Sequence, residues 1–202
     1  MTKEEKYNLA KWAMNHAIAK GADQARVSIS DNKSSDIDVR EKKIDTLKEA
    51  IQSKLTIYLY VDKKYSAIST NRLNQQELAR FIEEGIETTR FLAEDEFRTL
   101  PEPELYYKGD GPDLEAIDPN FDSVDAKAKI DLVFNVENEI YKKDERIISV
   151  TAGYSDGVSS RIMVASNGFE GDTASSYYYL SAQVTVNGGA ARPESSDYKS
   201  SI

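Results

Sequence analysis

Apolar and polar residues alternate most clearly between Lys54 and Val61, where Leu55, Ile57, Leu59 and Val61 interleave with Thr56, Tyr58 and Tyr60. A period of two puts the aliphatic side chains on one face of a strand and the tyrosines on the other. Ile37 and Val39 alternate in the same way with Asp36, Asp38 and Arg40. An apolar sheet face has to be covered, and helical spacing on both sides of Ser34 to Thr70 supplies the cover. Leu9, Ala10, Ala13, Met14, Ala17 and Ile18 predict a helix from about Lys3 to Lys20, opened by Thr2 and Glu5 at capping-box spacing and stopped by Gly21. Asn74 and Glu77 open a second, which Leu78, Ile82, Gly85, Ile86, Thr89 and Ala93 carry to about Glu94.

The remaining elements follow in order. Val27 and Ile29 begin a strand that the polar run Asp31 to Ser34 is expected to turn into a return strand through Val39. Ile44 to Ile51 alternates poorly, as a bulged strand or a helical turn would, and is read as a strand, while Asp62, Lys63 and Lys64 turn the Lys54 strand into Tyr65 to Thr70. Arg98 to Asp122 contains Pro101, Pro103, Pro112 and Pro119 with Gly109 and Gly111, and a connection this long reads as a linker. Asp122 or Ser123 can cap a third helix bearing Ala126, Ile130, Val133, Phe134, Ile140 and Tyr141. Ile148 to Tyr154 forms a strand, Asp156 and Gly157 a turn, and Ser159 to Ala165 the return. Ser175 to Val186 is the last strand. The expectation is an α+β fold of two helix-plus-sheet halves with antiparallel or mixed pairing. Residues 1–97 and 123–189 form the halves, 98–122 connects them, and 190–202 is an irregular tail that starts a missing C-terminal region.

Composition narrows the function. Thirty per cent of the 202 residues are charged and no apolar run approaches the roughly 18 residues of a membrane span, so a soluble chain is expected. The N-terminal MTKEEKYNLAKWAM lacks the basic and then apolar order of an export signal, and zero cysteines fit a reducing cytoplasm. A net charge of -9 argues against a nucleic-acid partner.

Candidate chemistry is sparse. One histidine and no cysteine leave only carboxylates to build a metal site, and carboxylates suit magnesium or calcium better than zinc. Asp36 and Asp38 share a strand face, and Glu94, Asp95 and Glu96 cluster; solvated charge explains both. His16 flanks a core stripe, where a structural role outweighs a Ser–His–Asp one. Asn187-Gly188-Gly189 lacks the lysine of a phosphate loop, and Asn32-Lys33-Ser34 matches a glycosylation acceptor without an export signal. No catalytic residue, metal ligand or cofactor is assigned. Tyr58 and Tyr60, and likewise Tyr177 and Tyr179, lie opposite the apolar side of their strands. They suit a surface that meets a partner or an extended peptide, or else a second covered face of the sheet. With Asp36, Asp38 and Arg40 they are the candidate contact residues.

The succession SDIDVREKKIDTLKEA, KLTIYLYVDKKYSAIST, LARFIEEGIETTRF and IISVTAGYSDGVSSRIMVASNGFEGDTASSYYYLSAQV resembles the N-terminal domain of the TldD/PmbA proteins, also called candidate modulators of DNA gyrase. Ala152-Gly153-Tyr154-Ser155-Asp156 and Ala165-Ser166-Asn167-Gly168 carry the likeness most closely. Ser53, Lys54 and Lys64 stand where the family usually has glycines. The resemblance implies an oligomer of related subunits acting in proteolysis on extended or unfolded peptides. It also implies a zinc site of His-Glu-x-x-x-His type in the C-terminal domain of the TldD-like subunit, and none in the PmbA-like subunit, which this chain matches better. The chain ends before such a domain begins, as a truncated or natural short form. The expected role is a non-catalytic N-terminal domain that makes a subunit contact and a wall of the peptide channel. The alternatives are a stand-alone module that pairs an extended peptide with a sheet edge, and a carboxylate-metal enzyme using Asp36 and Asp38.

Overall fold

Thr2 opens the first helix, α1 (Lys3–Ala19), through the expected reciprocal cap. The Glu5 amide donates to the Thr2 hydroxyl at 3.2 Å and the Thr2 amide to the Glu5 carboxylate at 2.7 Å. Asn74 likewise accepts from the amides of Gln76 and Glu77 to open α2 (Gln75–Thr89). This helix ends before Glu94, and Phe91 beyond it is exposed. The third helix, α3 (Ala126–Tyr141), is capped by Asp125, whose carboxylate accepts from the Ala128 amide at 2.7 Å. Asp122 and Ser123, the expected caps, instead belong to a 3-10 turn at Phe121–Ser123. These assignments come from a computed structural model, which describes residues 1–109 and 111–202.

Six strands, β1 (Gln24–Arg40), β2 (Lys43–Val61), β3 (Lys64–Thr70), β4 (Ile147–Ala165), β5 (Glu170–Val186) and β6 (Glu194–Ser201), form one antiparallel sheet in the order β3-β2-β1-β4-β5-β6. The fold is α+β. Two expected turns are absent because β1 and β4 run straight through them. At Asp31 to Ser34 the burial alternation continues without a change of phase, since Val27, Ile29, Ile37 and Val39 all occupy odd positions on one face. At Asp156-Gly157 the aspartate is fully buried and the glycine lies beneath a neighbouring ring, so neither is free to make a turn. The real reversals after β1 and β2 fall at Glu41-Lys42 and Asp62-Lys63, all four with positive φ. Two-residue hairpin loops require that geometry but usually recruit Asn or Gly, so Glu-Lys gives little signal. The tail expected to be irregular contains β6, paired with β5 from Thr185↔Glu194 to Tyr178↔Ser201.

Packing divides the chain into two units. The first comprises Met1–Asp31, Gln52–Pro112 and Ser160–Thr173. Its core sets the small side chains of α1 and the aliphatic ones of α2 against Ala25, Val27, Ile29, Leu55, Ile57 and Leu59. A smaller cluster of Tyr60, Leu100 and Ala165, with Tyr58, Tyr65 and Phe169 around it, holds the proline-bearing segment in place. There the Leu100 amide donates to the Gln24 side chain at 3.0 Å and Asn167 donates to the Pro101 carbonyl at 2.8 Å. The second unit comprises Asn32–Ile51, Asp113–Ser159 and Ala174–Ile202. Its core lies under α3, where Val133 meets Ile37, Val39, Ala152 and Tyr154. Among the described residues no helix is long and apolar enough to cross a membrane.

Candidate functional site

The face of the second unit's sheet that carries Asp36, Asp38 and Arg40 is the one opposite Ile37 and Val39, and so points away from α3. Asp38 and Ser181 both lean over Gly153, in the middle strand β4. A Cβ there would come within 2.7 Å of the Asp38 carboxylate and 3.1 Å of the Ser181 hydroxyl. Ser181 pairs across the next ladder with Tyr198, so Asp38, Gly153, Ser181 and Tyr198 form one row across four strands. Four residues along β4, the Tyr177 ring lies over Gly157, where a Cβ would come within 2.5 Å of it. The glycines of Ala152-Gly153-Tyr154-Ser155-Asp156-Gly157 therefore leave a shallow floor that the neighbouring side chains roof.

Aromatic surface remains open on this face. Tyr177, Tyr179 and Tyr198 are 45%, 36% and 63% exposed, and Tyr179 stacks on Tyr198 with ring centroids 5.3 Å apart. Partial burial, with the nearby charges of Asp36 and Asp156, pushes the Tyr177 hydroxyl above its ordinary pKa, so it remains a donor at neutral pH. Rigid aromatic area beside hydroxyls and carboxylates can hold a polypeptide backbone and its side chains without doing chemistry on them.

The other tyrosine pair lies in the first unit. Tyr60 is 8% exposed and packs on Tyr65, at 5.2 Å between centroids, and on Leu100. Tyr58 lies under the Arg26 guanidinium, 3.9 Å from its ring centroid. These two rings are thus covered, and the open tyrosines are Tyr177 and Tyr179.

Sequence reasoning missed a buried polar network behind the Tyr-Ser-Asp motif. Lys129, on α3, pairs with Asp156 at 2.5 Å, both side chains under one tenth exposed, and also reaches the Ser35 hydroxyl at 3.4 Å. Tyr154 donates its hydroxyl to the same Asp156 oxygen at 2.8 Å. Burial and then that bond push the Tyr154 pKa well above its ordinary value. The other Asp156 oxygen has no protein partner. Glu137, also fully buried, accepts from the Lys42 amide at 2.9 and 3.2 Å and so holds the Glu41-Lys42 turn. The available signal was position, since Tyr154 and Asp156 share a strand face and Lys129 follows the stripe of Ala126, Ile130 and Val133. His16 stacks on Trp12 at 5.3 Å and contacts Glu83 at 3.1 Å, a structural arrangement within the first unit. Among the described residues no three His, Asp or Glu side chains converge to hold a metal, so the donor set that zinc needs is not assembled there.

Family comparison covers most of the chain. A model of the PmbA/TldA metallopeptidase domain 1 matches residues 25–89, and one of the PmbA/TldA metallopeptidase central domain matches residues 119–201. A candidate modulator of DNA gyrase from Bacteroides thetaiotaomicron is 43% identical over 100% of this chain and 46% of its own, with a TM-score of 0.94. A second from Thermotoga maritima is 17% identical over 96% of this chain and 43% of its own, with a TM-score of 0.79. TldE from Thermococcus kodakarensis is 16% identical over 96% and 42%, with a TM-score of 0.73. The last two share the fold, and the chain spans less than half the length of all three. No curated protein matches.

Proposed function

The chain belongs to the PmbA/TldD family, and from that premise we propose that it is the N-terminal, non-catalytic part of a cytoplasmic metallopeptidase component. Its second unit walls a peptide channel, and a related subunit supplies the rest of the assembly. The observation that carries this reading is the open aromatic face, with Tyr177, Tyr179 and the stacked Tyr198 around the glycine floor of β4. Tyrosine rings give an extended peptide apolar contact at low entropic cost, and the hydroxyls and the Asp36 and Asp38 carboxylates give it polar contacts. Bond cleavage is left to atoms outside these residues. The net charge of -9 suits a peptide better than a phosphate backbone.

The test is binding of a fluorescent unfolded casein peptide to the chain, alone and mixed with a zinc-bearing family member. Replacing Tyr179 and Tyr198 by serine is expected to weaken binding about tenfold, the loss of roughly 1.4 kcal/mol of aromatic contact. Unchanged binding in a folded double variant overturns the wall. Failure to co-elute with every zinc-bearing member tried overturns the subunit role.

One observation favours pairing at a sheet edge as a second reading. β3 pairs with β2 only from Leu55 to Val61, so among the described residues Lys43 to Ile51 has no strand beyond it, and Ile44, Leu47 and Ile51 along it are exposed. Such an edge accepts an extended segment through main-chain hydrogen bonds. Loss of peptide binding in Leu47→Lys/Ile51→Lys, with the tyrosine variant unaffected, selects this reading over the first.

A further inference from the structure

The first unit contains a two-part groove beside its smaller apolar cluster. The inner part, about 160 Å³, is walled by Leu100, Pro101, Tyr106, Ala165 and Arg26. The outer part, about 550 Å³, is walled by Tyr107, Lys108, Arg161 and the strand end from Phe169 to Thr173. Met163 and Phe169 belong to both, so the parts adjoin. The inner volume suits one apolar side chain, and the outer lies within the range of ordinary ligand sites.

Charge is distributed unevenly along this groove. Among the described residues its two carboxylates are occupied, Glu170 by Lys11 at 2.8 Å and Asp172 by Lys3 at 2.8 Å and the Tyr7 hydroxyl at 3.1 Å. Its cations differ: among the described residues Arg26, Lys108 and Arg161 have no carboxylate within ion-pair distance, in a chain with 35 acidic residues against 26 basic ones. Arg26 packs its guanidinium on the Tyr58 ring and keeps a buried Nε without a partner, and the Tyr106 hydroxyl beside it is also buried and unpaired. Folding normally avoids two unpaired polar atoms at one apolar cavity unless the site has another use. Neutralised acids, open cations and an apolar inner chamber together fit an anion attached to an apolar group.

We propose that this groove binds the C-terminal end of a peptide. The last side chain enters the inner chamber, its α-carboxylate faces Arg26, and the preceding residues lie along the outer part past Arg161 and Lys108. A free small acid would fill the inner chamber and leave the outer part unused, whereas a peptide end uses both. The site belongs to the first unit and does not rest on the tyrosine face of the second.

Calorimetry on the full chain tests it with an N-acetylated pentapeptide ending in Leu-Phe, as the free acid and as the amide. The acid is expected to bind at least tenfold more tightly, as a charge-assisted hydrogen bond predicts. Arg26→Met is expected to erase that preference, and Leu100→Trp, which fills the chamber, to weaken both peptides. Equal binding of acid and amide, or no binding of either, overturns the proposal whether or not the variants fold. N-acetyl-phenylalanine binding as tightly as the pentapeptide also overturns it, because the occupant is then a free acid. Failure here leaves the tyrosine variants' result standing, since those residues lie elsewhere.

Discussion

The two units solve the same problem with different materials. The first buries two helices on its sheet through aliphatic contacts, and its ion pairs, Lys20 with Glu83 among them, sit at the rim apart from that of the buried Lys6 with Asp31. The second has one helix, a smaller apolar cluster, and three buried charged side chains, Lys129, Asp156 and Glu137, in its interior. Aliphatic burial is non-directional and tolerates small adjustments, whereas a buried ion pair holds only while each partner is present and aligned. The second unit is therefore the one a single polar substitution can disable, and its Tyr-Ser-Asp segment lies where that sensitivity is greatest.

The sharpest break is Asp156→Ala, which leaves Lys129 buried without its partner and is expected to cost about 3–5 kcal/mol. Denaturant unfolding measures it, and Lys129→Met/Asp156→Leu should cost less than either single change if the pair rather than the packing is responsible. Ile57→Ala in the first unit is expected to cost about 2–5 kcal/mol through lost burial and the cavity left behind. No second substitution at a charged site should restore that loss. Glu137→Gln keeps the shape but weakens the bond to the Lys42 amide, for an expected cost of about 1–2 kcal/mol. Hydrogen exchange should speed up first at Lys42 and its hairpin neighbours.

Smallest is the acid response of the first unit's rim. Burial raises the Asp31 pKa, but its bonds from Lys6 and Ser53 outweigh this and hold it below the ordinary carboxylate value. The unfolded chain then binds the proton more readily. The stabilisation is present above the unfolded pKa of about 3.9 and is lost as pH falls through the lower folded one. Asp31→Asn should flatten the stability profile below about pH 4 and leave neutral pH less affected than any change above. A profile of unchanged slope would remove the Asp31 contribution from the comparison.

Legibility differed by element for physical reasons. The two capped helices could be read because a cap is a local bargain between a side chain and amides two or three residues away, as at Thr2 and Asn74. The α3 cap was misplaced by a few residues because Asp122, Ser123 and Asp125 all qualify locally, and packing around Phe121 decided among them. Asp156-Gly157 has the composition of a turn, and only the arrival of Lys129 on one side and the Tyr177 ring on the other makes it mid-strand. For the candidate contacts, alternation placed Tyr58, Tyr60, Tyr177 and Tyr179 on the less apolar face of their strands. It could not tell that Leu100 and Arg26 cover the first pair while the second stays open.

The α+β class, the starts of the first two helices and the apolar side of each strand can be read from the chain alone, since these depend on neighbours a few residues apart. Tertiary structure alone decided strand length, the burial of Lys129 with Asp156, the use of residues 194–201 as a sixth strand, and the groove beside Arg26. Most of those join residues far apart in the chain, and their free energy exists only once the partners have met.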